Sequence, residues 1–267
     1  MDVKTLQNQF KLQQLQQKRK IRLYQWLLLI GLFLIWELAT RYRILDPLLF
    51  SSPTGVTKLF ISKLFDGTLL PHVIVTLLET VAGFLLGTLF GTILAIILWS
   101  SSTVAKVLDP YLVVLNAMPK VAIGPIILVI FGPNVLAVLV MGVLISVIIS
   151  TLVIFSAFQQ VNENYLKVMQ LFHATKRQTF QHVVLPSSIP TIISTLKVNV
   201  GLSWVGVIVG EFLVSSKGLG YLIISGFQIF NFNVVFLALV MIILLATFMY
   251  KCVEMVERWL LARFHYE

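Results

Sequence analysis

Ionisable side chains are scarce in this sequence, and those that fall inside apolar runs mark where chemistry is feasible. Lys120 lies in DPYLVVLNAMPKVAIGPIILVIFG, Asp109–Gly132, beside Pro119, Gly124 and Pro125. A charge at a bilayer centre costs about 2.5–3.5 kcal/mol on insertion scales, so such a group normally lines a pathway or satisfies backbone polar atoms. Both readings of Lys120 stay open: contact with an anionic or polar solute, with Asn116 and Met118 on the same stretch, or donation to carbonyls freed by the prolines. Lys197 stands near one end of a later apolar run, where snorkelling of its long stem is the simpler reading. Glu211 stands at the other end of that run and reads as a gate, a paired group or an interfacial side chain. Ser203 and Trp204, between them, are further candidates for the lining of a path, with packing the simpler reading of Trp204. Glu79, near the start of another run, is read as facing an outer vestibule.

Other chemistry is missing. No Ser/His/Asp or paired-carboxylate set recurs at usable spacing, so no enzyme is expected. His173 and His182 have no third ligand near them and read as solvated loop histidines rather than a metal site; His72 and His265 read as interfacial. The single cysteine, Cys252, excludes an intramolecular disulfide framework and a thiolate cluster. No G-x-x-x-x-G-K-[S/T] phosphate loop occurs, and Lys217-Gly218-Leu219-Gly220 lacks the rest of one. ATP hydrolysis, if coupled to this chain, belongs to a separate polypeptide.

The elements that position these residues are membrane spans. Of 267 residues 58% are hydrophobic and 12% charged, with mean hydropathy +0.94. A soluble domain cannot bury that much apolar surface, and an all-α membrane protein of about six transmembrane helices follows. The spans fall at about Tyr24–Thr40, Val73–Trp99, Asp109–Gly132 (broken at Pro119, Gly124 and Pro125), Val135–Phe158, Pro190–Leu213 and Val235–Val256. Residues 1–23 form a Gln-rich basic tail, 24–261 the membrane domain and 262–267 a short tail. Residues 41–70 read as an outer loop with a short helix at Val56–Phe65, and 214–234 as an outer re-entrant segment. Gly83, Gly87 and Gly91 repeat every fourth residue, the small-xxx-small spacing that lets helices pack closely.

The longest polar run inside this apolar sequence is NENYLKVMQLFHATKRQTFQHVVLPSSIP, Asn162–Pro190. Asn162 caps a helix in which Glu163 and Lys167 pair at i,i+4. Tyr165, Met169 and Phe172 share one face, as do Leu166 and Met169. Thr175 caps a second short helix that Leu185-Pro186 stops. Two amphipathic helices held between spans, with the loop taken as 159–189, make a docking surface for a soluble partner. Lys and Arg concentrate in the tail, at Lys106, in this loop and at Lys251, Arg258 and Arg263. Fewer lie at Arg41, Arg43, Lys58, Lys63 and Lys217, which predicts cytoplasmic termini and a cytoplasmic loop. The net charge of +9 then reflects loops near anionic membrane lipid, not nucleic-acid binding. Six spans enclose half a pathway, so a second copy or a close paralogue is expected.

The loop resembles the cytoplasmic coupling loop of bacterial ABC importer permeases. Tyr165-Leu166, Ala174, Leu185-Pro186 and Pro190 stand at the family's positions; Lys167 replaces its Glu, Val168-Met169 its two Ala, and His173 its turn Gly. His accepts positive φ better than most residues, which preserves the turn. Leu108-Asp109-Pro110, Ala117-Met118-Pro119, Ala122, Gly124-Pro125 and Phe131-Gly132 are similar to the third span of the nitrate, sulfonate and taurine group of permeases. Gly201-Leu202-Ser203-Trp204, Val209, Glu211 and Gly218-Leu219-Gly220-Tyr221 are similar to the fifth span and outer segment of that group. The resemblance covers about Leu45–Leu261. It implies a type I importer permease, working as a dimer in the bacterial cell membrane with two ABC ATPase subunits and an extracytoplasmic binding protein. ATP and Mg are then held by the ATPases, with no cofactor and no metal on this chain. Tyr165, Leu166, Lys167, Met169, Phe172, His173, Ala174, Thr175, Leu185 and Pro186 would couple to the ATPase. The solute class it implies is a small anion, a sulfonate or a vitamin-precursor pyrimidine. A secondary transporter or channel independent of ATP is the alternative; it calls for inverted repeats and a paired charge relay, and the sequence displays neither.

Overall fold

The structure, a computed structural model, describes residues 3–214 and 216–263; Met1, Asp2, Ser215 and residues 264–267, His265 among them, lie outside the described residues. The described chain is helical: α1 (Val3–Arg41), α2 (Pro47–Phe50), α3 (Pro53–Phe65), α4 (Leu70–Ser100), α5 (Ser102–Ala117), α6 (Gly124–Phe131), α7 (Val135–Gln159), α8 (Glu163–Leu171), α9 (Lys176–Thr179), α10 (Leu185–Val214), α11 (Leu219–Gln228) and α12 (Phe232–Arg263). Among the described residues five helices are long and apolar enough to cross a membrane, and a sixth span forms if the bent pair α5 and α6 counts as one.

Several boundaries differ from the sequence expectation for local reasons. The basic tail and first span are one helix, because neither Gly nor Pro interrupts the chain before Gly31. The loop helix starts at Pro53 instead of Val56: Ser52 caps it and proline is well placed in a first turn. Glu37 of α1 accepts the Thr54 N–H at 3.1 Å and its hydroxyl at 3.0 Å, anchoring that helix to the first span. The expected inner turn at Ser100–Leu108 shrinks to one residue, since Ser101 caps α5 at once. The break in the third span falls at Met118-Pro119, and α5 and the segment after it meet at 96°.

α7 is the centre of the bundle, between α4 and α10. The reason is a seam of small residues. Gly83, Gly87 and Gly91 of α4 face Gly142, Ser146 and Ser150 of α7. A Cβ on Gly87 would stand 2.5 Å from the Ser146 Cβ. On the far side of α7 a Cβ on Gly206 of α10 would stand 2.6 Å from the Gly142 Cα, and one on Gly210 would stand 2.9 Å from the Val138 Cα. Gly142 is thus pressed from both sides by helix backbone. In lipid the hydrophobic effect does not drive helices together, and close van der Waals contact takes its place.

The same seam carries buried hydrogen bonds. The Ser146 and Ser203 hydroxyls lie 3.0 Å apart. Asn199 Nδ2 donates to Thr88 Oγ1 at 2.8 Å and to Ser150 Oγ at 2.6 Å, tying α10 to both α4 and α7. Thr151 Oγ1 donates to the Gly91 carbonyl at 3.3 Å. Interhelical bonds of this kind contribute about 0.6–2 kcal/mol each in membranes. α12 and α11 pack outside this trio around Leu219, Leu222, Ile223, Val235 and Leu237. α1 lies apart, with Trp36 donating to the Phe50 carbonyl at 3.1 Å and packing on Phe236.

Gly206→Ala should therefore destabilise the bundle by about 1–3 kcal/mol through overpacking against backbone that cannot yield. Gly201→Ala, on the same helix with nothing within 4 Å of the added carbon, should be neutral or stabilising by up to about 1 kcal/mol. Apparent thermal midpoints of the two detergent-solubilised variants check the contrast.

Candidate functional site: the coupling loop and the charged positions

The polar run between α7 and α10 folds as two short capped helices. Asn162 Oδ1 accepts the Asn164 N–H at 2.9 Å at the start of α8. Glu163 and Lys167 pair at 3.6 Å with both side chains exposed, so the pair adds little stability. Leu166 and Met169 are half-buried, and Leu166 packs against a cluster of Phe158, Val161 and Val184. Tyr165 and Phe172 turn the other way with Val168 and Leu171; Phe172 and Leu171 are each 79% exposed. The face expected to unite Tyr165, Met169 and Phe172 is thus divided: Met169 sides with the bundle and the two aromatics with solvent.

His173 sits at φ +52°, the left-handed conformation the turn requires. Ala174 follows it and its N–H returns to the Met169 carbonyl at 2.9 Å. Thr175 closes a full capping box: its N–H donates to Gln178 Oε1 at 2.8 Å and its Oγ1 accepts the Gln178 N–H at 3.3 Å. Leu185-Pro186 does not stop this helix. Phe180–Val184 widens into a π-turn, in which the Leu185 N–H reaches back to the Phe180 carbonyl, and α10 continues through Pro186 and Pro190. The wide turn relieves the clash a proline ring makes with the preceding turn.

The loop is clamped to the bundle at α9. Lys176 Nζ donates to the Ser100 carbonyl at 2.7 Å, at the C-terminal end of α4, and lies 5.4 Å from the Trp99 ring centre. Phe180 meets Trp99 at 4.9 Å and Phe158 edge-on at 5.5 Å. A cation at a helix C-terminus interacts favourably with its carbonyls. Displacement of α8 and α9 is thereby felt by α4, α7 and α10 together.

Among the charged positions of the bundle, Lys120 follows one of its two sequence readings and Lys197 and Glu79 depart from theirs. Lys120 Nζ donates to the Asn116 carbonyl at 3.0 Å, satisfying a group that the helix break frees. Asn116 and Met118 are exposed at the same bend. Behind Lys120 lies a cavity of about 350 Å³ lined by Leu112, Leu115, Ile123, Ile127, Met141 and Ile148. Ser203 and Trp204 are buried, the first in the α7–α10 seam and the second among Phe84, Val200 and Met249. Neither presents a surface to a solute. Lys197 does not snorkel: it pairs at 2.8 Å with Glu257 of α12, a buried partner the sequence reading missed.

Glu79 and Glu211 are both buried within the single chain, so Glu79 does not open to a vestibule and Glu211 takes the paired reading. Glu211 Oε1 accepts the Thr76 hydroxyl at 2.6 Å and Oε2 accepts the Gly220 N–H at 2.6 Å. Thr76 Oγ1 in turn accepts the Leu219 N–H at 2.7 Å, and His72 Nδ1 accepts the Gly218 N–H at 3.0 Å. The carboxyl therefore binds the N-terminus of α11, where orphan N–H groups favour an anion. Gly218, at φ +115°, and Gly220 leave room for it; a Cβ on Gly220 would stand 2.7 Å from the Glu211 Cβ. Gly-x-Gly seven residues after a glutamate was the available signal for this cradle.

A bundle of long apolar helices with a clamped two-helix loop offering an apolar face to solvent is the architecture of a multi-pass membrane protein. Residues 87–262 match the binding-protein-dependent transport system inner membrane component family, and the chain belongs to it. It is 33% identical to a probable ABC transporter permease protein of Haemophilus influenzae over 92% of this chain and 98% of that one. It is 29% identical to the formylaminopyrimidine transport permease of Halalkalibacterium halodurans, over 73% and 77% of the two chains. Against the putative aliphatic sulfonates transport permease of Bacillus subtilis the identity is 25%, over 85% and 82%. The fold is that of type I ABC importer permeases. An amino acid ABC transporter with histidines superposes with TM-score 0.61 at 18% identity, covering 76% of this chain and 97% of that one. An inward-facing methionine ABC transporter gives 0.60 at 17%, covering 71% and 94%. The protein is the multi-pass membrane permease subunit of an ABC importer, in the bacterial inner membrane.

At His173 the left-handed backbone costs an L-residue about 1–2 kcal/mol that glycine avoids. His173→Gly should slow hydrogen exchange, or leave it unchanged, across Ala174 and the first turn of α9. His173→Val, β-branched at positive φ, should raise it.

Proposed function

We propose that two copies of this chain form a homodimeric translocation path, with both termini and the 159–189 loop cytoplasmic. Two ABC ATPase subunits, each carrying the ATP and Mg, dock on the two coupling loops. An extracytoplasmic binding protein delivers the solute on the opposite side. The observation that carries this reading is the exposed apolar face of Tyr165, Val168, Leu171 and Phe172, held on a loop that Lys176 and Phe180 fasten to the bundle. An exposed aromatic and aliphatic cluster on a braced helix has the composition of an interface anchor. Leu166, Met169, Ala174, Thr175, Leu185 and Pro186 complete the proposed coupling set, with Leu166 and Met169 half-buried on the bundle side. Lys167, compensated by Glu163, Lys176, occupied at α4, and Arg177 frame it with positive charge, which suits an ATPase groove with an acidic rim.

The solute is a small polar or anionic molecule of the sulfonate, nitrate, taurine or pyrimidine-precursor kind, as the names of the relatives suggest. The path runs along the exposed bend at Asn116, Met118 and Lys120. Ser203, Trp204 and Glu211, also candidates for the path by sequence, instead hold α10 to α7, to α4 and α12, and to α11. Close association of two copies is required because one copy leaves that bend open.

Phe172→Asp should abolish co-purification with the ATPase encoded beside this chain, weakening binding by at least about 2 kcal/mol, some thirtyfold, as for a buried anchor. Permease folding should be intact, because the side chain is solvent-exposed in the single chain. A chain that purifies alone and conducts solute in ATP-free liposomes would overturn the importer assembly.

A further inference from the structure

We propose that the C-terminal end of α1 holds one anionic glycerophospholipid, with an acyl chain between α1 and α12 and the phosphate among Arg41, Arg43 and Lys58. The groove for the chain is apolar and about 430 Å³ in volume. Leu32, Phe33 and Trp36 of α1 line it, facing Phe236, Leu239 and Ile243 of α12. Both walls belong to helices long and apolar enough to cross a membrane. The groove is therefore at membrane depth, where acyl chains reach and a water-soluble partner does not.

A second cleft, of about 500 Å³, carries the charge. Glu37, Thr40 and Arg41 of α1 line it, with Arg43 of the following turn and Thr54 and Lys58 of α3. The two adjoin along α1: Thr40 stands one helical turn beyond Trp36, and Glu37 one turn beyond Phe33. Trp36 marks the change from apolar to polar. Its ring packs on Phe236 and its indole N–H donates to the Phe50 carbonyl at 3.1 Å. That is how tryptophan sits at headgroup level, with one side apolar and the other polar.

Three cations and one carboxylate line the charged cleft. The carboxylate is occupied, since Glu37 accepts the N–H and the hydroxyl of Thr54. Arg41, Arg43 and Lys58 are exposed, and none of the ion pairs among the described residues involves them. Cations in excess at the mouth of an apolar groove match a molecule with an anionic head and an apolar tail, and guanidinium groups bind phosphate oxygens in pairs. Arg43 is the most telling of the three. It stands at φ +56° where the Ile44 and Leu45 N–H groups return to the Ala39 carbonyl at 2.9 and 3.0 Å and close α1. Glycine fills such a left-handed helix end at least cost. The helix dipole favours a cation near this end, but Arg41 already supplies one in the last turn. A ligand accounts for the second. Seated so, the lipid fills the gap between α1 and α12 beside the contact of Trp36 with Phe236. The site lies within one chain and rests on the fold, not on the importer assembly.

The test uses the full chain, delipidated in detergent, with native mass spectrometry to count bound dioleoylphosphatidylglycerol and dioleoylphosphatidylcholine. Wild type should bind the anionic lipid at least about tenfold more tightly than the zwitterionic one. Arg43→Gly and Lys58→Gln should each weaken binding of the anionic lipid about fivefold, the effect of one cation near a lipid surface, and leave the other lipid unchanged. Arg43→Gly should also keep or raise the apparent thermal midpoint without lipid, because glycine suits the left-handed turn, so its lost binding is not misfolding. Equal affinity for the two lipids would overturn the proposal. So would displacement of the lipid by sn-glycerol 3-phosphate at a similar concentration, which would assign the cleft to a free anion. In nanodiscs containing phosphatidylglycerol, a photoreactive benzophenone residue in place of Leu239 should give a lipid adduct. A chain-to-chain adduct would instead assign the groove to a second copy and overturn the proposal.

Discussion

The contact on which this bundle depends is the approach of backbone to backbone along α7. Apolar side chains do not hold membrane helices together by burial, since lipid is as apolar as leucine. Gly83, Gly87 and Gly91 on one side, and Gly206 and Gly210 on the other, allow α4 and α10 to meet Gly142, Ser146 and Ser150 without intervening side chains. At that separation serine, threonine and asparagine hydroxyls and amides reach across the seam. The hydrogen bonds of Ser203 and Asn199 are therefore consequences of the glycines. A larger residue at Gly206 would push α10 away and strip those bonds from groups that have no water to fall back on.

This rigidity gives the coupling loop its leverage. α8 and α9 contribute few contacts of their own, and an isolated helix of nine residues is unstable in water. The loop is ordered because α9 passes into α10 through a π-turn, Leu166 enters the Phe158 cluster, and Lys176 holds the end of α4. All three attachments lead to helices of the seam. In the proposed assembly, a push on Phe172 reaches α10, α7 and α4 through these three attachments.

The sequence was informative where a pattern has a single physical meaning. The glycine spacing on α4, the caps at Asn162 and Thr175, and the left-handed turn at His173 were all readable, since each depends on a few neighbouring residues. What depended on distant partners was not. Lys197 reads as a snorkelling lysine until Glu257 is seen beside it, sixty residues on and beyond the expected end of the last span. Leu185-Pro186 reads as a helix stop because a π-turn has no sequence signature. Glu79 and Glu211 read as span-end acids because hydropathy places residues along the membrane normal and says nothing about what faces them across the bundle.

The fate of the internal charges bears on how this subunit selects its solute. Lys197 is spent on Glu257, Glu211 on the start of α11, and Lys120 on the carbonyl of Asn116. Each was, by residue type, a candidate to bind a solute, and each instead satisfies a structural demand of the bundle. A charge already paired at hydrogen-bond distance can bind a passing anion only by giving up its partner, and inside a membrane that exchange leaves a polar group unsatisfied at a cost of several kcal/mol. The interior is thus poorly suited to tight, selective binding. A pathway that binds weakly suits a subunit whose solute is chosen before it arrives, because weak sites release what strong sites would retain. In the proposed assembly, discrimination among solutes then falls to the binding protein. The permease sequence is constrained instead by the seam, the clamp and the α11 anchor, the features that are most distinct in its structure.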